Sequence, residues 1–152
     1  MKKYTLKNLI DEHLPESDES HMTQSQLQEL ISRSQSTIVL EEEDGYMLFK
    51  YIGIKMALFV DPKFNRMRIV SPITEYSSLA PKIKDSLMSA NFHSTLDVRY
   101  GVSEDTLYSC FMHSLTSLQE DDLKSALQQL YKLNTTFGTT FSSAQIAFTK
   151  KK

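Results

Sequence analysis

The hydrophobic pattern is clearest in residues 79–137, where it predicts a helix, two strands and a second helix. Apolar residues recur at helical spacing in residues 79–90, whereas in residues 96–115 they alternate with polar residues, as in β-strands. Ser117 and Glu120 have the spacing of a capping box and predict the start of the second helix. The apolar stripe of that helix consists of Leu123, Ala126, Leu127, Leu130, Leu133 and Phe137.

An earlier helix and a hairpin turn are predicted ahead of this region. Thr23 and Gln26 also have capping-box spacing, so we expect a helix that begins at residue 23. Its buried stripe consists of Leu27, Leu30 and Ile31. The Asp44-Gly45 dipeptide lies between strand-forming residues and predicts a tight β-hairpin turn.

Three strands are predicted between these two regions, at residues 37–42, 46–60 and 66–70. We interpret residues 46–60 as one long strand bent at Gly53, because Ile52-Gly53 is a poor turn sequence; two separate strands are the alternative. Residues 66–70 alternate as in an edge strand, with the apolar side chains inward and the arginines outward.

The chain is therefore predicted to fold as an α+β domain with the element order α-βββ-α-ββ-α, in which a twisted antiparallel sheet packs against helices. We place this domain at residues 23–138. Residues 1–22 are interpreted as an N-terminal extension and linker, in which Ser20-His21-Met22 also resembles a remnant of cloning. Residues 139–152 are interpreted as a C-terminal tail.

The element order and the phrase LMSANFHSTLDVRYGVSEDTLY, residues 87–108, resemble the class I type III secretion chaperone-like fold and its YbjN-like relatives. The resemblance covers residues 23–138 and implies an open antiparallel sheet packed against helices, commonly in a homodimer, with no enzymatic activity. Secretion chaperones of this kind hold a partially unfolded segment of a client protein, whereas the YbjN-like relatives have a less defined role. The N-terminal extension and the lysine-rich C-terminus depart from a dedicated chaperone.

Composition and charge limit the classes of function. The chain has 152 residues, of which 40% are hydrophobic and 24% charged, as is typical of one globular domain. Its formal net charge is −2 although five lysines lie at its ends, so its body lacks the basic surface that nucleic-acid binding requires. With Cys110 as its one cysteine and no apolar run of membrane-spanning length, we expect a cytoplasmic protein without a disulfide or a membrane partner.

The sequence contains no recognisable motif for catalysis, metal binding or phosphate binding. The four histidines have no partner at a metal-ligand spacing, and the four glycines form no phosphate-binding loop. Cys110 and His113 are the nearest approach to a nucleophile and base, but side chains three residues apart in a strand point to opposite faces. The acidic run at residues 41–44 is interpreted as a solvated hairpin end. We therefore predict no catalytic residue, metal site or cofactor.

The strand that begins at residue 46 is apolar on both faces, which favours a binding surface. The two sets of side chains are Tyr46, Leu48 and Ile52 on one face and Met47, Phe49 and Tyr51 on the other. One face can meet the core, and the other must be covered by a helix, a second subunit or a client. The partner-binding residues that we predict are Leu27, Leu30, Ile31, Tyr46, Leu48 and Ile52.

These observations, with the resemblance, predict a non-catalytic protein-binding module that forms a homodimer and binds a protein client, such as a secreted effector, in grooves between helices and sheet. Two alternatives remain open. One is a YbjN-like regulatory or stress-related protein that has no dedicated export client. The other is a small-molecule-binding protein or enzyme with a pocket under the bent strand.

Overall fold

A computed structural model describes residues 22–143, which contain three α-helices and six β-strands. In chain order the elements are α1 (Gln24–Ser32), β1 (Thr37–Glu43), β2 (Tyr46–Tyr51), β3 (Ile54–Asp61), β4 (Arg66–Glu75), α2 (Pro81–His93), β5 (Arg99–Ser103), β6 (Thr106–Ser114) and α3 (Glu120–Thr135). Almost all of the predicted N-terminal extension and most of the predicted C-terminal tail lie outside the described residues.

The six strands form one antiparallel sheet in the order β1-β2-β3-β4-β6-β5. One face of the sheet carries the hydrophobic core, to which all three helices contribute buried side chains. The largest fully buried side chains are Phe49, Leu27, Ile31, Met47, Met56, Leu58, Met67, Ile69, Leu107, Leu115, Leu123 and Leu130. This arrangement confirms the predicted α+β class. The opposite face, which we call the open face, is not covered by any helix within residues 22–143.

The predicted long strand at residues 46–60 is wrong, because the chain reverses at Ile52-Gly53 and forms two strands. Ile52 has a φ of 50° and Gly53 a φ of 77°, which are the left-handed values that a tight two-residue hairpin turn needs at both central positions. Residues of β2 and β3 then pair from Tyr46 with Phe59 to Tyr51 with Ile54. The apolar side chains that these strands bury offset the strain of a β-branched residue at positive φ. The observed order is therefore α-ββββ-α-ββ-α.

Strand β4 lies in the middle of the sheet, so the prediction of an edge strand at residues 66–70 is also wrong. It extends to Glu75 and pairs with β3 on one side and β6 on the other. The register shifts between Pro72 and Thr74, an irregularity at which a residue without an N–H group is tolerated. Its predicted alternation is confirmed: Met67 and Ile69 are buried, and Arg66 and Arg68 face outward.

The helix starts follow local capping chemistry. Thr23 and Gln26 form the predicted reciprocal capping box of α1. The cap predicted for α3 is wrong: Gln119 is the N-cap residue, and its backbone N–H donates to Asp122 Oδ2 at 2.9 Å. The acidic residues at positions 120–122 favour this start, because negative charge in a first turn interacts well with the helix dipole.

Candidate protein-binding surfaces

The six residues predicted to bind a partner do not share one surface. Leu27 and Ile31 are fully buried in the core beneath α1, so we do not retain them as contacts of a partner. Leu30 is half-buried beside a groove between helices. Ile52 is 48% exposed in the turn between β2 and β3. The other two predicted residues, Tyr46 and Leu48, are half-buried on the open face.

A groove of about 400 Å³, which we call the helix groove, is lined by residues of α1 and α3 and by Tyr51 of β2. Its apolar lining includes Leu30 and Leu127, and its charged lining includes Arg33 and Lys124. Arg33 is paired with Glu29 of its own helix at 2.7 Å, with both side chains mostly exposed. Because an exposed ion pair contributes little free energy, displacing Arg33 from Glu29 costs little. An apolar side chain of a partner could then contact Leu30 and Leu127 in the groove.

Strand β1 forms one edge of the sheet and exposes apolar side chains that the sequence prediction did not single out. Ile38 is 62% exposed, and the neighbouring Val39 and Leu40 are also exposed. The register with β2 shifts between Val39 and Glu41, so Leu40 occupies a bulge. Within residues 22–143, the backbone groups of residues 38–42 that point away from β2 have no hydrogen-bond partner. Such an edge can accept another strand.

The opposite edge of the sheet, formed by β5, is blocked at one residue by a side chain of α2. The Asn91 amide accepts a hydrogen bond from the backbone N–H of Tyr100 at 2.8 Å and donates one to the carbonyl oxygen of Tyr100 at 3.1 Å. The amide therefore occupies the backbone groups that an added strand would need at this residue. The two edges of the sheet thus differ in their capacity to pair with another chain.

The open face carries two cross-strand rows of side chains in which apolar groups lie between acidic and basic ones. The first row is Glu43, Tyr46, Phe59, Arg68 and Met112, and the second is Glu41, Leu48, Ala57, Val70, Cys110 and Arg99. Phe59 is 44% and Met112 61% exposed. The rings of Tyr46 and Phe59 are 5.3 Å apart between centroids.

Two pKa shifts on the open face follow from these neighbours. Burial, followed by the charges of Glu41 and Glu43, raises the pKa of Tyr46, so the acidic side chains lie close to the tyrosine hydroxyl. Burial also raises the pKa of the Cys110 thiol, and Arg68 acts in the opposite direction. Each row has its acidic residue on β1 and its basic residue on β4 or β5, and Lys50 on β2 and Lys55 on β3 are also exposed on this face.

The residues considered for catalysis or metal binding are not brought together. Cys110 is on the open face, whereas His113 pairs with the buried Met67 on the core side of the same strand. The His113 ring contacts the carbonyl oxygen of Ser114 through Nδ1 at 2.8 Å. No group of three acidic, cysteine or histidine residues in the described part of the chain is placed to hold a metal ion. None of the helices formed by residues 22–143 has the length and hydropathy of a membrane span.

Comparison with solved structures supports the fold. A chain of the HopA1–SchA chaperone–effector complex matches this fold with a TM-score of 0.52 and 10% sequence identity. The match covers 65% of this chain and 79% of the chain from the complex. A chain of the ExsC–ExsE complex covers 74% of this chain and 94% of its own length, with 12% identity and a TM-score of 0.47. No family model and no curated protein sequence matches. The first similarity confirms a chaperone-like α+β fold, and neither supports the YbjN-like relatives in particular.

Proposed function

We propose that this protein is a non-catalytic protein-binding module that holds an extended segment of a client protein, as a chaperone or adaptor does. The observation that carries the proposal is the β1 edge, where exposed apolar side chains accompany backbone groups that have no partner among residues 22–143. A peptide that adds to such an edge gains affinity from main-chain hydrogen bonds and specificity from pockets for its side chains. The shared fold with a chain of a chaperone–effector complex supports a protein partner.

The client surface that we propose runs from the β1 edge to the helix groove. The backbone N–H of Ile52 donates to the carbonyl oxygen of Ser36 at 2.9 Å, so the β2–β3 turn lies against the segment that leads into β1. Ser34 of the same segment lines the helix groove together with Leu30. We therefore retain Leu30 and Ile52 as client contacts and add Ile38, because these side chains lie along one border of the sheet.

The charge of β1 indicates which client segments fit. Residues 41–43 are three consecutive glutamates, and all are exposed. A client strand that places Lys or Arg beside them and apolar residues beside Ile38 complements the edge along its length. Because exposed charges act more on association rate and specificity than on affinity, we expect the basic residues to select clients and the apolar residues to retain them.

The proposal also includes the cellular compartment, the oligomeric state and the kind of client. We propose that the module acts in the cytoplasm as a homodimer and that its client is a secreted effector. A YbjN-like regulatory role without a dedicated client has no observation of its own in this structure, and a small-molecule site under a bent strand is no longer supported because the chain turns at Ile52-Gly53.

A photo-crosslinking amino acid at Ile38 tests this proposal in the cells that make the protein. We expect crosslinks to one protein, with the crosslinked peptides confined to one short stretch of its sequence. The matched control is the same amino acid at Met88, which is even more exposed but lies on α2. Ile52→Asp should weaken the crosslink while preserving the fold, because Asp tolerates positive φ in a turn. The proposal fails if Ile38 yields no more crosslinks than Met88, or yields crosslinks scattered over unrelated proteins.

A further inference from the structure

We propose that residues 3–19 of this chain, which we call the N-terminal segment, cover one end of the open face. In this arrangement the first part of the segment is a helix that crosses strands β1 to β4, and its acidic residues lie beside Arg66 and Arg68. The segment precedes the residues that the structure describes. The inference does not depend on the proposed client, because it concerns a face of the sheet and leaves the backbone groups of the β1 edge available.

The surface to be covered is a groove of about 560 Å³ on the open face, at the end of the sheet where β3 turns into β4. Its exposed apolar side chains are Phe59, Phe64 and Met112, with exposed fractions of 44%, 69% and 61%. No helix within residues 22–143 lies on it. Three large apolar side chains exposed in one groove mark a docking surface.

Basic side chains give this groove a positive charge. Arg66 and Arg68 line it together with one acidic residue, Asp61. Within residues 22–143 neither arginine forms an ion pair. Lys63 lies beside the same groove, with its Nζ 6.0 Å from the centre of the Phe64 ring. The groove therefore favours an acidic occupant.

The described chain begins beside the groove. The backbone N–H of Met22 donates to the carbonyl oxygen of Leu115 at 3.0 Å. The N–H of Leu115 in turn donates at 3.2 Å to the carbonyl oxygen of Asn65, the residue before Arg66. Residues 15–21 span at most about 25 Å when extended, and one layer of a sheet is about 10 Å thick. The preceding residues can therefore reach the open face.

The sequence of the N-terminal segment matches this surface in its apolar pattern. Leu6, Leu9, Ile10 and Leu14 recur at helical spacing and form one stripe. A helix this short is only marginally stable alone, so it requires a surface on which to bury the stripe. Basic residues come first and acidic residues follow: Lys2, Lys3 and Lys7, then Asp11, Glu12, Glu16, Asp18 and Glu19.

A helix that begins over β1 and ends over β4 brings the charges of the segment to their opposites. From β1 to β4, the first row of the open face consists of Glu43, Tyr46, Phe59 and Arg68. The lysines then lie beside the glutamate, the stripe lies on the two rings, and the acidic residues lie beside the arginines. A helix of twelve residues is about 18 Å long, and three strand spacings are about 14 Å. The reverse direction sets like charges together at both ends.

Two lysines limit the covered area to this end of the open face. Lys50 and Lys55 pair across β2 and β3, and both are exposed. Each lies four residues along its strand from Tyr46 or Phe59, a distance of about 13 Å, whereas a helix is about 10 Å wide. The lysines therefore stay in water, and Ile38, which pairs with Lys50, stays accessible to a client.

Disulfide trapping in the purified 152-residue protein, with Cys110 replaced by serine, tests the docking. Ile10→Cys should form an intramolecular disulfide with Phe59→Cys in most molecules, as measured by mass spectrometry and non-reducing gels. The matched control sets the second cysteine at Met88, which is more exposed but lies on α2, and should trap less than about a tenth as much. Leu14→Cys with Met112→Cys is a second pair for the case in which Phe59→Cys misfolds.

Three results would overturn the assignment. One is equal trapping at Phe59 and Met88. Another is preferential trapping of Ile10→Cys by Ile38→Cys, which would place the segment on the client edge. The third is a disulfide that forms only between two copies of the chain. All of these measurements use the protein without a client, so their failure is distinguishable from failure of the proposed function.

Charge reversal tests the direction in which the segment crosses the sheet. Arg66→Glu/Arg68→Glu should lower the trapping yield about fivefold, because two attractive contacts become repulsive. The matched control, Lys50→Glu/Lys55→Glu, changes the same face outside the groove and should leave the yield unchanged. In the arginine variant, three further reversals should restore the yield: Glu16→Lys, Asp18→Lys and Glu19→Lys. Equal losses in the two double variants would contradict the proposed contacts.

Discussion

At the scale of single residues, Asn134 links α3 to three strands through a chain of buried hydrogen bonds. Its amide nitrogen donates to Ser71 Oγ on β4 at 2.6 Å, and its amide oxygen accepts from Ser109 Oγ on β6 at 2.6 Å. Ser71 in turn donates to the carbonyl oxygen of Lys55 on β3 at 2.6 Å. Both serines are fully buried, so this side chain adds a polar link between α3 and the sheet to the apolar packing of the helix.

Asn134→Ala should lower the free energy of unfolding by about 1–3 kcal/mol, because it leaves the buried Ser109 hydroxyl without its acceptor and removes one of the two hydrogen bonds of Ser71. Urea denaturation measures the loss. The matched control is Gln128→Ala, an exposed position on the same helix, which should change stability by less than about 0.5 kcal/mol. Equal effects of the two substitutions would show that the buried chain of hydrogen bonds does not position α3.

Tyr100 makes stability depend on alkaline pH. Its ring is buried near Phe137 and Phe141, its hydroxyl donates to the carbonyl oxygen of Leu133 at 3.2 Å, and burial raises its pKa. The unfolded chain therefore releases this proton first, near the ordinary tyrosine pKa of about 10. The free energy of unfolding should fall as pH rises above about 10, and less steeply in Tyr100→Phe. Thermal unfolding across this range measures the slope, and equal slopes would contradict the assignment to Tyr100.

At the scale of elements, local signals explain what could be predicted and what could not. The cap of α1 and the buried stripe of α3 depend on residues a few positions apart, so the sequence was sufficient for both. The strand order depends on pairing between distant segments, and for that reason the alternation at residues 66–70 wrongly predicts an edge strand. The block of β5 by Asn91 was missed for the same reason, because an asparagine near a helix end carries no signal of a bond to Tyr100 nine residues later.

The β2–β3 turn shows how cross-strand packing overrides local preference. Ile52 is β-branched and has a φ of 50°, a conformation that Asn tolerates much better. Ile52→Asn should therefore raise the free energy of unfolding by about 1 kcal/mol, measured by urea denaturation. It should also weaken the client crosslink from Ile38, because it removes an apolar contact. Lower stability of this variant would mean that the Ile52 side chain contributes packing that outweighs its backbone strain.

At the scale of the whole molecule, the sheet separates three tasks. Its covered face holds the core, its open face carries an apolar centre among charged side chains, and its β1 edge has unpaired backbone groups within residues 22–143. The sequence predicted an apolar second face on one strand, and Tyr46 and Leu48 do lie outside the core. It could not show that Leu27 and Ile31 are enclosed by the sheet, since a helical stripe has the same pattern whether it meets a core or a partner.

Strand addition at β1 is the central claim, and hydrogen exchange of the purified client complex tests it most directly. Amide exchange is compared between the complex and the protein alone. The backbone amides of β1 should become strongly protected in the complex, because an added strand occupies its outward-facing groups, while β5 should be unchanged because Asn91 already blocks that edge at Tyr100. Unchanged exchange at β1, or new protection confined to β5 or α2, would contradict the account.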